Sequence, residues 1–252
     1  MEKFLYDYFY KIEDKHWWFQ GRKEILLRLI DKYYRPEPNS KVLDIGCGTG
    51  MMLKSLSKYG EVYGLDKNEK AIAYSKIRSP KAKIVLGSFP ENMQNLLPLK
   101  FDLITVLDVL EHIDDDTKAL EAIKNILKPN GILIITVPAY KFLWTHFDEV
   151  NQHKRRYTRR ELSEKITKAG FKIEKISYFD TFPFAPAVVV KFLEHIFSRS
   201  EKNNQLGLQM SLHSFNRFFK WLFSSEKHFL TNINFPFGIS IVAIATPNKL
   251  RN

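Results

Sequence analysis

Cysteine is almost absent: Cys47 stands alone in 252 residues. No intrachain disulfide can form and no cysteine-based zinc site can be built, which fits a reducing compartment. The opening stretch MEKFLYDYFYKIEDKHWW is charged and aromatic throughout. It lacks the apolar core and small-residue cleavage site of a secretory signal, so no export is expected. Long apolar runs are missing too. The most apolar segment, Phe182 to Val190, gives way to Lys191 and Glu194, short of the roughly 18 to 20 residues that cross a bilayer. The expected location is cytoplasmic. No Pro/Gly/Ser-rich linker divides the chain and no internal repeat is visible, so one domain over 1–252 is expected, with disorder confined to the ends and Ser198 to Leu206.

What is present suits a folded α/β protein. Hydrophobic residues make up 44% and charged residues 27%, enough apolar material for a sizeable core. The formal net charge of +11 points to an anionic partner: nucleic acid, an acidic membrane surface or a phosphorylated small molecule. From Lys41 onward, β-rich runs alternate with helical patterns, the mark of a parallel sheet covered on both faces. Strands are predicted at Lys41 to Ile45, Glu61 to Leu65, Lys83 to Leu86, Phe101 to Leu107, Gly131 to Val137, Phe171 to Tyr178 and Ile239 to Thr246. Helices are predicted at Met51 to Lys58, Glu69 to Ser79, Asp115 to Leu127 and Arg159 to Ala169, with Pro129-Asn130-Gly131 and Gly170 as stop signals. Three segments stand outside the alternation: 1 to about 38, 138 to 158, and about 179 to 237. They are the natural candidates for a lid, since ligands of such sheets sit beyond the strands' carboxyl ends.

The run Val42-Leu43-Asp44-Ile45-Gly46-Cys47-Gly48-Thr49-Gly50 is a buried strand entering a glycine-rich turn. Glycine lets the backbone bend sharply and approach a ligand where a β-carbon would collide. The spacing is G-x-G-x-G. Met51 and Leu53 occupy the third-glycine positions of a dinucleotide fingerprint, which argues against NAD and FAD. Asp66 closes the next strand about 20 residues on, where a carboxylate can accept hydrogen bonds from two ribose hydroxyls. A purely structural reading makes the glycines a tight turn and Asp66 a helix cap before Asn68. We favour the nucleoside reading because a buried strand precedes each signal.

With those residues in view, the sequence resembles the class I S-adenosylmethionine (SAM) dependent methyltransferases, in particular those similar to ubiquinone-biosynthesis O-methyltransferases. The likeness covers residues 41 to about 137. It includes Val42 to Gly50, Asp66, Phe101-Asp102-Leu103-Ile104 through Asp108-Val109-Leu110-Glu111-His112-Ile113, and Leu127-Lys128-Pro129-Asn130-Gly131-Ile132-Leu133. The resemblance implies a Rossmann-like, seven-stranded, mostly parallel sheet with helices on both faces and SAM as cofactor. It divides the chain into an N-terminal helical cap (1–38), a SAM-binding core (39–178), a helical insertion (179–237) and a last strand and tail (238–252). It implies a cofactor set of Asp44, Gly46, Cys47, Gly48, Thr49 and Gly50 at the first turn, with Asp44 orienting the methionine moiety, and Asp66 and Lys67 at the second. Ser88 and Phe89 follow the third strand, where the family usually has an acid, and Leu107, Asp108 and His112 the fourth. His16-Trp17-Trp18-Phe19 and His153-Lys154-Arg155-Arg156-Tyr157-Thr158 resemble a bacterial and archaeal subgroup associated with cell-surface glycan gene sets.

Methyl transfer from a sulfonium is an in-line displacement, governed by positioning and exclusion of water. A hydroxyl acceptor also benefits from a base, which points to histidine. His146 and His153, with Asp148 between them and Arg156 and Tyr157 after them, are the candidate catalytic group: a base with a cationic clamp for a substrate phosphate or carboxylate. The alternative is a solvated basic loop whose Thr158 caps the next helix. Asp108, Glu111 and His112 share the i, i+3, i+4 spacing that can hold a hard cation. We favour a helix-start acid cluster with His112 packed under the cofactor, and expect no metal. Trp18 and Arg22 fit an aromatic wall over the sulfonium or a docked N-terminal helix equally well. Within 183–230, Phe215, Phe219 and Leu222 recur at helical spacing, widened by Phe218 and Trp221, with Arg217, Lys220 and Lys227 nearby. That stripe suits a membrane interface, a core-packing helix or a homodimer.

The function expected is methylation of an oxygen on a sugar, a phosphorylated sugar or a lipid-linked glycan. Two rivals are carried: an RNA methyltransferase and a non-catalytic SAM-binding protein. Asp108-Val109-Leu110-Glu111 is not the Asn/Asp-Pro-Pro-aromatic motif of amino-methylating enzymes, Cys47 is locked in the cofactor turn, and no RNA-binding module is recognisable. A nucleic-acid partner is therefore not expected.

Overall fold

The computed structural model describes residues 3–92, 96, 98–197 and 216–248; the segment Ser198 to Leu206 and Phe215 lie outside them. In chain order the helices are α1 (Lys3–Ile12), α2 (Trp17–Tyr33), α3 (Leu53–Leu56), α4 (Glu69–Arg78), α5 (Asp116–Ile126), α6 (His146–Val150), α7 (Arg159–Lys168), α8 (Phe184–Phe197), α9 (Asn216–Ser224) and α10 (Glu226–Leu230). The strands are β1 (Lys41–Ile45), β2 (Glu61–Asp66), β3 (Lys83–Leu86), β4 (Phe101–Leu107), β5 (Leu127–Pro138), β6 (Phe171–Phe179) and β7 (Ser240–Pro247). They form one seven-stranded sheet in the order β3-β2-β1-β4-β5-β7-β6. Pairing is parallel from β3 to β5, while β7 runs antiparallel to both β5 and β6.

The pattern of apolar residues explains this order. Strands β1, β2, β4, β5 and β7 are buried along most of their length, as strands covered on two faces must be, whereas β3 at one edge is exposed or half-buried throughout. Successive side chains point to opposite faces, so the sheet divides two cores. Leu43, Ile45, Ile104 and Ile135 face α5 and α7 through Leu120, Ile123, Leu162 and Ile166. Val42, Val62, Leu103 and Ile134 face α2 through Ile25, Leu26, Leu29 and Ile30. Each of those aliphatic side chains contributes about 1.5 to 3 kcal/mol by leaving water.

The segment 1–38 is therefore more than a lid: α2 is one of the layers of the fold. It is joined there by α9 and α10, whose Phe223 and Leu230 are fully buried in the same core. Two of the expected elements have a boundary displaced by two residues or more; the others agree to within one. β5 starts at Leu127 rather than Gly131, because Leu127 pairs with Phe101 and an irregularity in the ladder before Leu103 absorbs Pro129-Asn130-Gly131. The helix predicted from Met51 is only one α turn, Leu53–Leu56, followed by a 3₁₀ turn at Ser57–Tyr59.

Strand order reverses between β1 and β4, the position where open α/β sheets bind ligands beyond their carboxyl ends. The loop after β5 leaves and returns at that edge. Its two ends are tied, Tyr140 N–H donating to Tyr157 O at 2.8 Å and Tyr157 N–H to Pro138 O at 2.9 Å. Among the described residues, no helix is long and apolar enough to cross a membrane.

Candidate active site

A cavity of about 330 Å³ opens at the carboxyl ends of β1, β2, β3 and β4. Its floor is the glycine turn. Gly46 and Gly48 both have positive φ, +70° and +54°, a region that costs other L-residues roughly 1 to 2 kcal/mol. A β-carbon at Gly46 would lie 2.3 Å from Val109, whereas one at Gly48 would meet nothing within 4 Å. Gly46 therefore answers to packing, and Gly48 opens its backbone to the cavity.

The two strand tips are joined by hydrogen bonds. Gly46 N–H and Cys47 N–H donate to Leu65 O at 2.7 and 3.0 Å, and Gly48 N–H donates to Asp66 Oδ2 at 2.9 Å. The other Asp66 oxygen accepts from Asn68 N–H at 2.9 Å, and Asn68 itself caps α4. Burial pushes the Asp66 carboxyl up, opposed by those backbone N–H groups. A carboxylate has about four acceptor positions, so Asp66 can still take two ribose hydroxyls.

Around this floor stand Lys67, Ser88, Phe89, Asp108 and His112, all named from the sequence. The lining also holds Tyr6 of α1, Glu91 and Lys154, which sequence reasoning missed. Glu91, next to the place where an acid was looked for after β3, is 3.3 Å from Ser88 Oγ, a hydroxyl it can accept from. Tyr6 is brought in by α1, whose apolar face carried no motif. Asp108 is at φ +54°, outside helical geometry, and its carboxylate accepts from Arg22 at 2.7 Å and Thr136 Oγ at 3.1 Å. The three-residue acid and histidine cluster expected on one helical turn is thus broken: only Leu110–His112 form a turn, and it is 3₁₀.

Several expected site residues lie elsewhere. Asp44 is outside the lining, one step inside β1, where it accepts from Thr105 Oγ at 2.6 Å and burial pushes its carboxyl up to about 7. Cys47 and Leu107 pack into the α2-side core. The Thr49 hydroxyl is bonded to Glu13 and to Arg78, and Gly50 lies against Ser75 of α4. Trp18 and Arg22 build no wall over the cavity. The Arg22 guanidinium is sandwiched between the Trp18 and Phe179 rings, 4.7 Å from each, and bridges Asp108 and Asp180. A cation buried this deeply has to be paired, and two carboxylates do it.

The loop after β5 requires the larger correction. Arg156 is no free clamp: it grips the fully buried Asp148 with two nitrogens, each at 2.8 Å, and Ala139 O at 3.1 Å. Arg155 binds Asp116 at 3.0 Å. Tyr157 is 2% exposed and donates to Asp116 at 2.8 Å, so it is a core residue. His146 is exposed and 3.2 Å from Glu149. The expected substrate clamp is an internal brace, because Asp116 and Asp148 are buried and need counter-charge. His153 is absent from the cavity lining. Its Nδ1 bonds Asp148 at 2.8 Å, and its Nε2 is 3.9 Å from Glu111 Oε1. Burial pushes the Asp148 carboxyl up, but His153 and Arg156 outweigh that and hold it well below the usual carboxylate range. The His153 and His112 rings meet edge to face, with centroids 4.8 Å apart. Burial, then the neighbouring His153, lowers His112 to about 4, so its ring is neutral near pH 7. Glu111 is completely buried and neither of its carboxylate oxygens has a hydrogen-bond partner.

Comparison with known proteins agrees with this architecture. Among curated relatives, the ubiquinone biosynthesis O-methyltransferase of Bradyrhizobium diazoefficiens is 32% identical over 98 residues, 38% of this chain and 39% of that protein. The corresponding protein of Pelagibacter ubique is 32% identical over 129 residues, 48% of this chain and 52% of that protein. The chain thus spans about half or less of the curated relatives it matches. Among solved structures, a SAM-dependent methyltransferase from Archaeoglobus fulgidus superposes with a TM-score of 0.55 at 20% identity, covering 89% of this chain and 92% of that one. The phosphoethanolamine N-methyltransferase 2 of Haemonchus contortus, solved with SAM, gives a TM-score of 0.55 at 18% identity over 89% of this chain and 52% of that one. These likenesses show a shared fold. A family model described as a methyltransferase domain matches residues 16–176, well over half of the chain, which therefore belongs to that family of class I SAM-dependent methyltransferases.

Proposed function

We propose that this protein transfers the methyl group of SAM to an oxygen of a small-molecule acceptor. The observation that carries the reading is the meeting of Gly48 and Asp66 on one cavity whose lining also holds His112. In this reading Asp66 takes the ribose hydroxyls, the backbone at Gly46 to Gly48 takes the methionine tail, and Ser88 and Phe89 flank the adenine. The methyl group then lies toward Asp108 and His112. An acceptor oxygen donates a lone pair to the methyl carbon, the carbon–sulfur bond breaks with its electron pair left on sulfur, and the acceptor proton departs to solvent. Positioning and exclusion of water supply most of the rate.

The proposed acceptor class is a sugar, a phosphorylated sugar or a lipid-linked glycan. Lys67 in the lining supplies positive charge near the cavity, whereas Lys154 is paired with Asp114. Phe192, Phe218, Trp221 and Phe229 are each more than half exposed on the insertion between β6 and β7, which favours an acceptor carried on lipid at a membrane surface. Methyl-labelled SAM incubated with the protein and fractionated cell extract tests this reading. Label in glycan or lipid-linked fractions is expected; label in RNA alone would overturn it.

A further inference from the structure

The buried pair of oxygens on Glu111 is the least explained feature of the molecule. A carboxylate without hydrogen bonds is costly to bury, and the charge of Arg22 does not outweigh that cost. Two imidazoles stand beside it, and both are prepared in the same way. His153 Nδ1 faces Asp148 at 2.8 Å and His112 Nδ1 faces the Gln152 carbonyl at 3.4 Å, which favours the proton on Nδ1 and a lone pair on Nε2 in each ring. One donor atom from each of Glu111, His112 and His153 lies within 4.8 Å of the others. The backbone fixes the arrangement, since Lys154 N–H donates to Glu111 O at 2.9 Å and pins the loop after β5 against the 3₁₀ turn.

We propose that Glu111, His112 and His153 hold a divalent transition-metal ion. Two imidazole nitrogens and one carboxylate leave coordination positions open, and imidazole favours manganese to zinc over magnesium or calcium. Asp148 is the outer carboxylate that orients His153, itself held by Arg156. Neighbouring ligands of such an ion stand about 3.0 to 3.4 Å apart at bond lengths near 2.1 Å, so the three side chains draw together on loading. His112 belongs to both the cluster and the cavity wall, which places the ion at the cavity's edge. If the cavity is the methyl-transfer site, the ion's open position takes the acceptor's hydroxyl oxygen. That role rests on the proposed function, whereas metal binding itself does not.

Cobalt(II) titration of chelator-treated protein, followed by visible absorption and calorimetry, tests the site without SAM. One ion per chain is expected. Glu111→Gln, His112→Ala and His153→Ala should each bind about 100-fold more weakly or worse, and Asp148→Asn about 10- to 100-fold more weakly. His146→Ala, on the same loop, should match the wild type. Circular dichroism identifies any variant that fails to fold, and the remaining ligand variants then decide. Absence of stoichiometric binding, or equal affinity in His146→Ala and the folded ligand variants, overturns the proposal. Calorimetry with S-adenosylhomocysteine on the same samples separates the two readings: cobalt binding without S-adenosylhomocysteine binding sinks the cavity assignment, and the reverse sinks the metal site. Label transfer in extract should stop on chelation and return with manganese(II); transfer that persists with fully stripped protein contradicts the acceptor role.

Discussion

Gly46 and Gly48 share a motif and a left-handed backbone but face different surroundings. Gly46→Ala would push a methyl group to within 2.3 Å of Val109, so loss of stability should dominate. Gly48→Ala meets open space. It should lower the melting temperature only by the roughly 1 to 2 kcal/mol of backbone strain, while S-adenosylhomocysteine affinity falls about tenfold or more, a change of about 1.4 kcal/mol. Equal loss of stability and binding in the two variants would contradict this division. Asp148 illustrates a residue whose importance was legible but whose role was not. The sequence places it among histidines and arginines, yet only the fold shows that it is fully buried and that Arg156 is turned inward onto it. Its carboxyl is held below the unfolded value of about 3.9, so its contribution is complete above that pH and lost as pH falls through the folded value. Asp148→Asn should cost roughly 3 to 5 kcal/mol at neutral pH. Denaturant melts repeated down to pH 3 should show the gap between wild type and variant narrowing; a constant gap would rule out the ionised Asp148.

At the scale of elements, the strands were legible because two-sided burial writes continuous apolar runs such as those of β1 and β4. The 3₁₀ turn and the early start of β5 were not, since both depend on pairing with distant residues. The N-terminal helices show the same limit. The apolar spacing of α2 was visible, but whether it forms a lid or a layer is decided by Phe223 and Val242, far along the chain. In contrast, α1 buries only Leu5, Tyr6 and Phe9 among its described side chains and is otherwise docked by polar and ring contacts: Asp7 with Lys70 and Tyr74, Tyr10 stacked on Tyr74 at 4.1 Å, and, just after the helix, Glu13 with Arg78. Tyr6 brings this helix to the cavity. Hydrogen exchange should therefore find residues 3–12 opening more readily than α2 in the free protein, and protected when S-adenosylhomocysteine binds. Identical exchange with and without it would place α1 outside the site.

Across the whole molecule, the net charge of +11 proved less informative than where the charges go. Arg22, Arg155 and Arg156 each pair with acids, and Lys220 and Lys227 of the insertion both pair with Glu24 of α2. The amphipathic stripe is likewise divided: Phe219 and Leu222 are half-buried, Phe219 against Trp17 of α2, whereas Phe218 and Trp221 remain exposed. Anionic vesicles should retain the wild-type protein and release a Phe218→Ser/Trp221→Ser variant; equal retention of the two would remove the lipid-surface part of the proposal. The central claim is that the ends of β1 and β2 jointly seat one nucleoside cofactor. Calorimetric titration of SAM into the wild type and Asp66→Ala tests it most directly. The account predicts one site per chain, weakened at least about tenfold by loss of the carboxylate; no binding by the wild type, or equal binding by a folded Asp66→Ala, would contradict it.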